Sequence, residues 1–224
     1  MSEALYAKTV TCPVCLNNFV TQKIKTSAIR IHKRDTDFCV HYLGENPVFY
    51  GAYVCPECGY AALESSFEDI NPNTKKTVLD KISANWNKRD FGQKRSIHEA
   101  IDAYKLALLC CQLTKQKKGV LGTICLRLTW LFRTLGEERE QDFLKHAAQC
   151  YEEAYRYEKL PIGGLDEISI TYLLGELNRR LEKFEDAIYW FNKAISHPGV
   201  KQKKNMESQI RDQWILAREQ FKQQ

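Results

Sequence analysis

Two short cysteine pairs constrain this chain more than any other feature of its sequence. They read Cys12-Pro-Val-Cys15 and Cys55-Pro-Glu-Cys58, each with proline directly after the first cysteine. Together they supply four soft ligands, the set that a tetrahedral zinc ion accepts at a closed structural site. Gly59 follows the second pair and can adopt the positive φ that lets backbone N–H groups approach the sulfurs. We therefore predict that Cys12, Cys15, Cys55 and Cys58 bind one Zn²⁺ ion.

The same pairs have two other interpretations, a redox pair or a disulfide framework. A redox pair usually stands alone at a strand-to-helix junction in a βαβ pattern, and the sequence lacks that pattern. Four thiolates leave zinc no open position for water, so we expect the metal to stabilise the segment rather than to catalyse a reaction. No motif resembles a phosphate-binding glycine loop, a nucleophile elbow or a His-Glu-x-x-His helix, so we predict no catalytic residues and no enzyme activity.

The remaining cysteines do not indicate a secreted protein. Nine cysteines occur in 224 residues, and five remain outside the two pairs: Cys39, Cys110, Cys111, Cys125 and Cys150. Most of the five fall on apolar positions of helical segments, which favours buried, reduced thiols. The first residues lack the apolar core of a signal peptide, and no run of about 18 apolar residues occurs. We expect a soluble, cytoplasmic protein.

The first part of the chain has the pattern of short strands and turns. Thr21–Ile31 is rich in β-branched residues and Pro47–Val54 is a second strand candidate. Two knuckles joined by strands predict a zinc-ribbon-like module, with an insertion, since residues 16–54 separate the knuckles. Asn71-Pro72 predicts the start of a helical domain. The predicted domains are therefore a zinc-ribbon-like module over 1–70 and a helical domain over 71–224.

The second part has apolar residues at helical spacing, and one pattern recurs in it three times. A small residue, an aromatic residue and a second small residue are spaced alike in each copy: Ala100-x3-Tyr104-x2-Ala107, Ala147-x3-Tyr151-x2-Ala154 and Ala187-x3-Phe191-x2-Ala194. Small residues let a second helix lie close against a first, and the aromatic fills the gap between neighbouring hairpins. The second helix of a tetratricopeptide repeat is built in this way.

The third copy is the most complete, because Leu174-Gly175 precedes it and Pro198-Gly199 ends it. The first two copies lack a Leu-Gly pair at that offset, and their spacing exceeds the standard repeat of about 34 residues. We predict a mainly α protein in which an α-solenoid of about three tetratricopeptide-like hairpins follows the β module. A capping helix over Asn205–Gln223 would complete the stack. The alternative is a plain helical bundle in which the pattern arises by chance.

The order of motifs in the first part resembles a bacterial family known as domain of unknown function 2225. The motifs are the first knuckle, Arg34-Asp35-Thr36-Asp37-Phe38, Asn46-Pro47-x-Phe49-Tyr50, and the second knuckle followed by Gly59-Tyr60-Ala61. Members of that family often combine paired cysteine knuckles with tetratricopeptide-like helices, and the resemblance covers essentially the whole chain. It implies a bacterial, cytoplasmic origin and implies no activity. Leu16 stands where many zinc knuckles have glycine, so the first turn is expected to be less ideal.

Charged residues between the knuckles have two interpretations. Arg30, Arg34, Asp35 and Asp37 could bind a small anion or a peptide end, or could form a network that orders the insertion. We favour the structural network, since arginine–aspartate networks often have that role. Cys39 and His41 lie nearby and could replace a ligand or bind a second metal, although a lone histidine near a strand is more often an ordinary polar residue.

Positive charge is concentrated outside the cysteine module. Residues 71–224 contain 27 Lys/Arg and 20 Asp/Glu, a net +7, whereas residues 1–70 contain 6 and 8, a net −2. Two basic runs, Lys115–Lys118 and Lys201–Lys204, fall between predicted helices and could form one basic rim for a polyanionic ligand, or could be solvated loops.

These observations favour a protein-interaction function. We expect an adaptor or scaffold whose helical hairpins bind a peptide or protein partner, with the zinc module covering the first hairpin. The first alternative is a nucleic-acid-associated zinc-ribbon protein, which the acidic balance of the module disfavours. The second alternative is a thiol redox sensor that uses an incompletely occupied metal site. The partner and the oligomeric state are not predictable from the sequence.

Overall fold

The chain is mainly helical, with small antiparallel strand pairs in its first part. The computed structural model describes residues 4–223, and residues 1–3 and 224 of the predicted domains lie outside them. Seven α-helices and six short strands occur in that range. Within residues 4–223, none of the helices is both long enough and apolar enough to span a bilayer.

The strands form three separate two-stranded antiparallel sheets. Their pairs are β1 (Leu5–Thr11) with β2 (Asn18–Ile24), β3 (Ile31–Arg34) with β4 (Val40–Tyr42), and β5 (Ala52–Val54) with β6 (Ala61–Leu63). The first cysteine pair lies in the turn between β1 and β2, and the second lies in the turn between β5 and β6. Each knuckle is therefore the connection of a β-hairpin.

Three of the helices begin after side chains that cap their first turns. Asn71 accepts a hydrogen bond from Thr74 N at 2.9 Å, and Ser96 and Glu99 form a reciprocal capping box. The bounds are α1 Pro72–Lys81, α2 Ile97–Leu113, α3 Lys118–Leu135, α4 Arg139–Tyr157, α5 Glu167–Arg180, α6 Phe184–Ile195 and α7 Lys204–Phe221. The helical start predicted at Asn71-Pro72 and the final helix predicted over Asn205–Gln223 correspond to α1 and α7.

Two predicted strands are interrupted by 3-10 turns. In the segment Thr21–Ile31, β2 ends at Ile24, a 3-10 turn follows, and β3 begins at Ile31. In the segment Pro47–Val54, residues 47–50 form a 3-10 turn because the side chain of Asn46 accepts a hydrogen bond from Val48 N at 2.9 Å. Only Ala52–Val54 of that segment is a strand.

The described residues divide into two compact units. The first holds the residues up to Arg34 together with Val40–Gln116, and the second holds Asp35–Cys39 together with the residues from Lys117 onward. The first unit therefore contains all three sheets with α1 and α2, and the second contains α3–α7. This division differs from the boundary predicted between 70 and 71, which stays a prediction about independent folding.

In the first unit, α2 packs mainly on β5 and β6. Ala100, Tyr104 and Ala107 of the first recurring pattern are almost fully buried there, and Tyr104 Oη donates to Val48 O at 2.8 Å. Arg95, which is also buried, donates to the backbone oxygens of residues 49, 52 and 91. The first small–aromatic–small pattern thus serves to bury a helix against strands.

In the second unit, consecutive helices pack against each other through glycine–aromatic contacts. A Cβ at Gly122 of α3 would lie 2.8 Å from the ring of Tyr151 in α4, and a Cβ at Gly175 of α5 would lie 2.6 Å from the ring of Phe191 in α6. Both aromatics belong to recurring patterns, and both are nearly fully buried. Gly122 is preceded by Leu121, so the second copy does have a Leu-Gly pair, at a longer offset than the third.

Candidate metal centre

The two knuckles of the first unit bring four cysteine sulfurs together. Cys12 Sγ lies 3.6 Å from Cys58 Sγ, and Cys15 Sγ lies 3.6 Å from Cys55 Sγ. All four sulfurs lie within 4.8 Å of one another. Sulfurs around a tetrahedral zinc ion, at about 2.3 Å from the metal, are about 3.8 Å apart. The four residues predicted as ligands therefore form a group that could hold one metal ion.

Backbone N–H groups point at the sulfurs in the same way in both knuckles. In the first, the N–H groups of Val14 and Cys15 donate to the sulfur of Cys12. In the second, the N–H groups of residues 57 and 58 donate to the sulfur of Cys55. Such hydrogen bonds stabilise thiolate rather than thiol, so each hairpin turn prepares its first cysteine to be a metal ligand.

The cysteines of the cluster share protons when protons are their only counter-ions. Hydrogen bonds from Cys12 and Cys58 lower the pKa of Cys55. Hydrogen bonding with Cys55 raises the pKa of Cys12 to about 12, and hydrogen bonding with Cys12 raises the pKa of Cys58. A bound cation would replace those shared protons, because a coordinating thiol is deprotonated.

The second knuckle is packed beneath residues that follow β6. Trp86 Nε1 donates to Pro56 O at 2.8 Å, and Ser83 Oγ donates to Cys58 O at 2.8 Å. A Cβ at Gly59 would lie 2.5 Å from the Trp86 ring. Cys12 and Cys55 are 0% exposed and Cys58 is 4% exposed. The sulfurs are enclosed by protein on these sides, as at a closed structural site.

The first knuckle is more open, and its turn contains a strained residue. Leu16 has φ 63° and Gly59, which follows the last cysteine of the other knuckle, has φ 73°. The Leu16 side chain is 68% exposed. A left-handed conformation costs a residue with a Cβ about 1–2 kcal/mol relative to glycine. The less ideal turn expected at Leu16 is therefore observed, and it leaves the four sulfurs together.

The predicted acidic residues between the knuckles pair with arginines that the sequence argument did not select. Asp37 is fully buried and accepts from Arg133 Nη2 at 2.7 Å, while Asp35 accepts from Arg133 Nη1 at 3.4 Å. Burial opposes the charge of Arg133, but its hydrogen bonds to Asp37 and Glu140 outweigh that effect and raise its pKa. Arg30 instead donates to the backbone oxygen of Ser27 at 2.7 Å.

A second buried carboxylate extends this network in the second unit. Glu176 is 0% exposed and accepts from Arg179 at 2.8 Å and from Arg180 at 2.7 Å. Thr36 Oγ1 donates to Glu176 at 2.6 Å, and Tyr172 Oη donates to Thr36 O at 2.7 Å. Sequence reasoning missed Arg133, Glu176, Arg179 and Arg180. The available signal was a carboxylate followed by arginines three and four residues later on one helix.

Neither Cys39 nor His41 belongs to the four-sulfur group, so neither replaces one of its four cysteines. The second metal suggested for these two residues stays a prediction. One lysine of each basic run has a carboxylate partner: Lys118 lies 2.8 Å from Glu153, and Lys203 pairs with Asp166. These ion pairs reduce the positive charge that the runs would present to a polyanion.

Comparisons with known proteins agree with the resemblance seen in the sequence. Residues 5–217 match the family described as "Uncharacterized protein conserved in bacteria (DUF2225)", and the chain belongs to that family. An "Uncharacterized protein" of Borreliella burgdorferi is 28% identical over an alignment of 148 residues that covers 58% of this chain and 53% of that relative. The chain thus spans about half the length of the curated relative it matches. No solved structure matches the chain.

Proposed function

We propose that this DUF2225 protein is a zinc-binding, non-catalytic adaptor or scaffold that binds a peptide or protein partner on its helices. In this proposal zinc holds the two knuckles together in a cytoplasmic, zinc-ribbon-like module and takes no part in a reaction. The observation that carries the interaction function is an aromatic surface on α4 and α6. We call it the aromatic patch and define it as Tyr155, Tyr189, Trp190 and Lys193.

The aromatic patch is built around Trp190. The ring of Tyr155 packs edge-on against Trp190 at 5.3 Å, and the ring of Tyr189 does so at 5.2 Å. Lys193 Nζ lies over the Tyr155 ring at 4.6 Å and over the Trp190 ring at 5.7 Å. Tyr189 remains 58% exposed. The rings are therefore held in place by one another while Tyr189 faces solvent.

This arrangement separates two groups of aromatics that the sequence could not distinguish. Tyr104, Tyr151 and Tyr172 are almost fully buried and fill space between packed elements. Tyr189 does not fill a space between packed elements. Its ring stays exposed, although burying it would stabilise the fold. Rigid tyrosine and tryptophan side chains are enriched among the residues that dominate binding energies. We therefore assign Tyr189 to recognition and the three buried tyrosines to packing.

The cation within the aromatic patch specifies the partner further. Lys193 Nζ lies over the rings of Tyr155 and Trp190. We expect a segment that places an apolar or aromatic side chain on Tyr189 and a carboxylate near Lys193. The hydroxyl of Tyr155 donates to Glu167 at 2.8 Å, which orients that ring without the partner.

The repeated glycine–aromatic contacts support a tetratricopeptide-like assignment for α3–α6. Gly122 with Tyr151 and Gly175 with Phe191 repeat one close helix–helix contact in successive helix pairs. Repetition of one contact is the packing expected of helical repeats, with α7 as the capping helix. An adaptor function requires only such a surface and needs no chemistry.

The identity of the metal is tested by mass spectrometry of the untagged protein under native and denaturing conditions. We expect one zinc per chain and four thiols protected from alkylation. The variant Cys111→Ser, which removes a buried thiol outside the cluster, should keep the same metal content. Protein without zinc, or with iron in its place, would refute the zinc assignment.

The partner is tested by photo-crosslinking in cells from a reactive residue at position 189, followed by purification of the crosslinked protein. The purified candidate is then titrated calorimetrically. We expect Tyr189→Ala and Lys193→Glu each to weaken binding at least about tenfold, as for a central interface residue. Tyr6→Ala, which removes another exposed tyrosine, should leave the affinity unchanged. Equal affinities for all of these proteins would refute recognition through the aromatic patch.

The two alternatives predict different results. A nucleic-acid-associated protein should bind a labelled oligonucleotide with an affinity that falls steeply as salt rises. A redox sensor at the metal centre should show rapid alkylation of Cys12, Cys15, Cys55 or Cys58 in the metal-loaded protein. Either result, together with unchanged partner binding by Tyr189→Ala, would replace the proposed function.

A further inference from the structure

The charges of the cysteine module are segregated along the chain, although their sum is small. Residues 4–34 contain six Lys/Arg and no Asp/Glu, whereas residues 35–70 contain seven Asp/Glu and no Lys/Arg. The net charge of −2 over residues 1–70, which also includes Glu3, therefore conceals a basic half and an acidic half. A surface built from the basic half can attract an anion even though the module is acidic overall.

Part of the basic half is a strand that is exposed along its whole length. All four residues of β3 (Ile31–Arg34) are exposed, and so is the preceding Arg30. Since side chains of a strand alternate between its faces, both faces of β3 carry exposed side chains. The strand packs mainly on β4. Within the described residues these two strands form a sheet of their own, so the second edge of β3 pairs with no further strand.

The two arginines that flank this strand are available to an anion. Arg30 donates through Nη1 to the backbone oxygens of residues 27 and 29, at 2.7 and 3.1 Å, which holds its guanidinium in place and leaves its other nitrogens to a ligand. In the described part of the chain, the side chain of Arg34 makes no hydrogen bond or ion pair. By contrast, the lysines of β1 and β2 in the same basic half both pair with Glu64.

Two exposed apolar side chains lie beside these arginines. Ile31 is 52% exposed and Leu43 is 60% exposed. Leu43 directly follows β4, and its N–H donates to Arg30 O at 2.8 Å. Charged side chains alone suffice to protect an open strand edge from pairing with other chains. Exposed Ile31 and Leu43 act in the opposite direction, because burying them against a partner is favourable.

We propose that an extended, acidic peptide segment of a partner protein adds to β3 as a further strand. Its binding surface, the basic edge, consists of Arg30, Ile31, Lys33, Arg34 and Leu43. Backbone hydrogen bonds to the open edge of β3 give affinity, while carboxylates on the arginines and apolar side chains on Ile31 and Leu43 give specificity. A nucleic acid uses the cations alone, so the acidic peptide accounts for more of the observed features.

The basic edge lies in the first unit and is independent of the aromatic patch. It is tested by fluorescence anisotropy of the full chain with a labelled heptapeptide that alternates glutamate and valine. We expect saturable binding that weakens as salt rises, because salt screens the attraction between carboxylates and arginines. The same peptide N-methylated throughout keeps its charge but cannot pair as a strand, and it should bind at least about tenfold more weakly.

Charge-reversing variants locate the site. Arg30→Glu and Arg34→Glu should each weaken binding of the heptapeptide about three- to tenfold, as expected for an exposed ion pair that becomes a repulsion. Lys76→Glu, which makes the same change of charge at an exposed position of α1, should leave the affinity unchanged. Hydrogen exchange of each protein shows whether the first unit stays folded, and added peptide should protect the amides of residues 31–34.

Any one of three results overturns the proposal. The first is no binding of the heptapeptide at concentrations up to about 1 mM. The second is equal binding of the N-methylated peptide, which would reduce the basic edge to a patch that attracts any anion. The third is a labelled single-stranded oligonucleotide that binds more tightly than the heptapeptide at the same salt concentration and loses affinity in both arginine variants, which would assign the surface to nucleic acid.

Discussion

The metal centre of the first unit and the buried ion network of the second unit hold short, irregular backbone in place by different means. Each does so by gathering side chains that are costly to bury. Four cysteine sulfurs meet in the first unit, with three of the four side chains at most 4% exposed. In the second unit, Asp37 and Glu176 are both 0% exposed and lie beside Arg133, Arg179 and Arg180.

The difference lies in where the compensating charge comes from. The ion network contains its own cations, so its carboxylates are neutralised by side chains of the same chain. The sulfur cluster consists only of groups that become negative on ionisation, and it needs an external cation to ionise fully. If a metal ion fills the cluster, the first unit depends on its surroundings for that ion, whereas the ion network of the second unit is complete within the chain.

The largest effect is expected from breaking the metal centre. Cys55→Ser removes one of four ligands, and structural zinc sites contribute on the order of 10 kcal/mol to folding. We expect loss of zinc and loss of amide protection throughout the first unit, including α1 and α2, while α3–α7 keep their protection. Hydrogen exchange with mass spectrometry measures this. Loss of protection in α3–α7 as well would show that both units unfold as one cooperative structure.

An intermediate effect is expected from breaking the ion network. Asp37→Ala removes the fully buried partner of Arg133 but leaves Asp35 and Glu140 beside it, so we expect a loss near the lower end of the range for broken buried pairs, about 3 kcal/mol. Urea unfolding followed by the protection of α3–α7 measures the change. Asp212→Ala removes an exposed aspartate from α7 and should cost less than about 0.5 kcal/mol. If the two variants were equally stable, the buried network would not be the feature that holds residues 35–39.

The smallest effects are expected from the matched turn positions of the two knuckles. Gly59→Ala forces a Cβ into the Trp86 ring at a positive φ, and should destabilise the metal-loaded first unit by about 2–4 kcal/mol. Leu16→Gly relieves strain at an exposed position and should stabilise it by about 0.5–1 kcal/mol. Competition with a chelator and urea unfolding measure both. If Gly59→Ala and Leu16→Gly changed the stability of the first unit in the same direction, the two turns would not be equivalent.

Local signals were readable from the sequence because local physics determines them. Each of the two cysteine pairs, the helix start at Asn71 and the final helix depends on residues within a few positions of one another. The mainly helical character and the family were also predicted correctly. The tetratricopeptide-like solenoid and the adaptor function stay predictions.

Long-range pairings were not readable, since nothing local marks them. Asp37 and Arg133 are 96 positions apart, and any arginine of the helical part would have been an equal candidate. The face of α2 carries the same pattern as α4 and α6, yet it packs mainly on strands, because the pattern specifies a close contact and not its partner. Tyr189 could be assigned to the surface only when its neighbours were known.

The insertion of residues 35–39 into the second unit has a consequence for how the protein is made. A ribosome that adds about 5–20 residues per second completes the 96 positions from Asp37 to Arg133 in roughly 5–20 s. Throughout that interval Asp37 must stay hydrated, with neither α3 nor α5 yet present to receive it. The second unit is therefore complete only when its helices have bound a segment that was synthesised long before them.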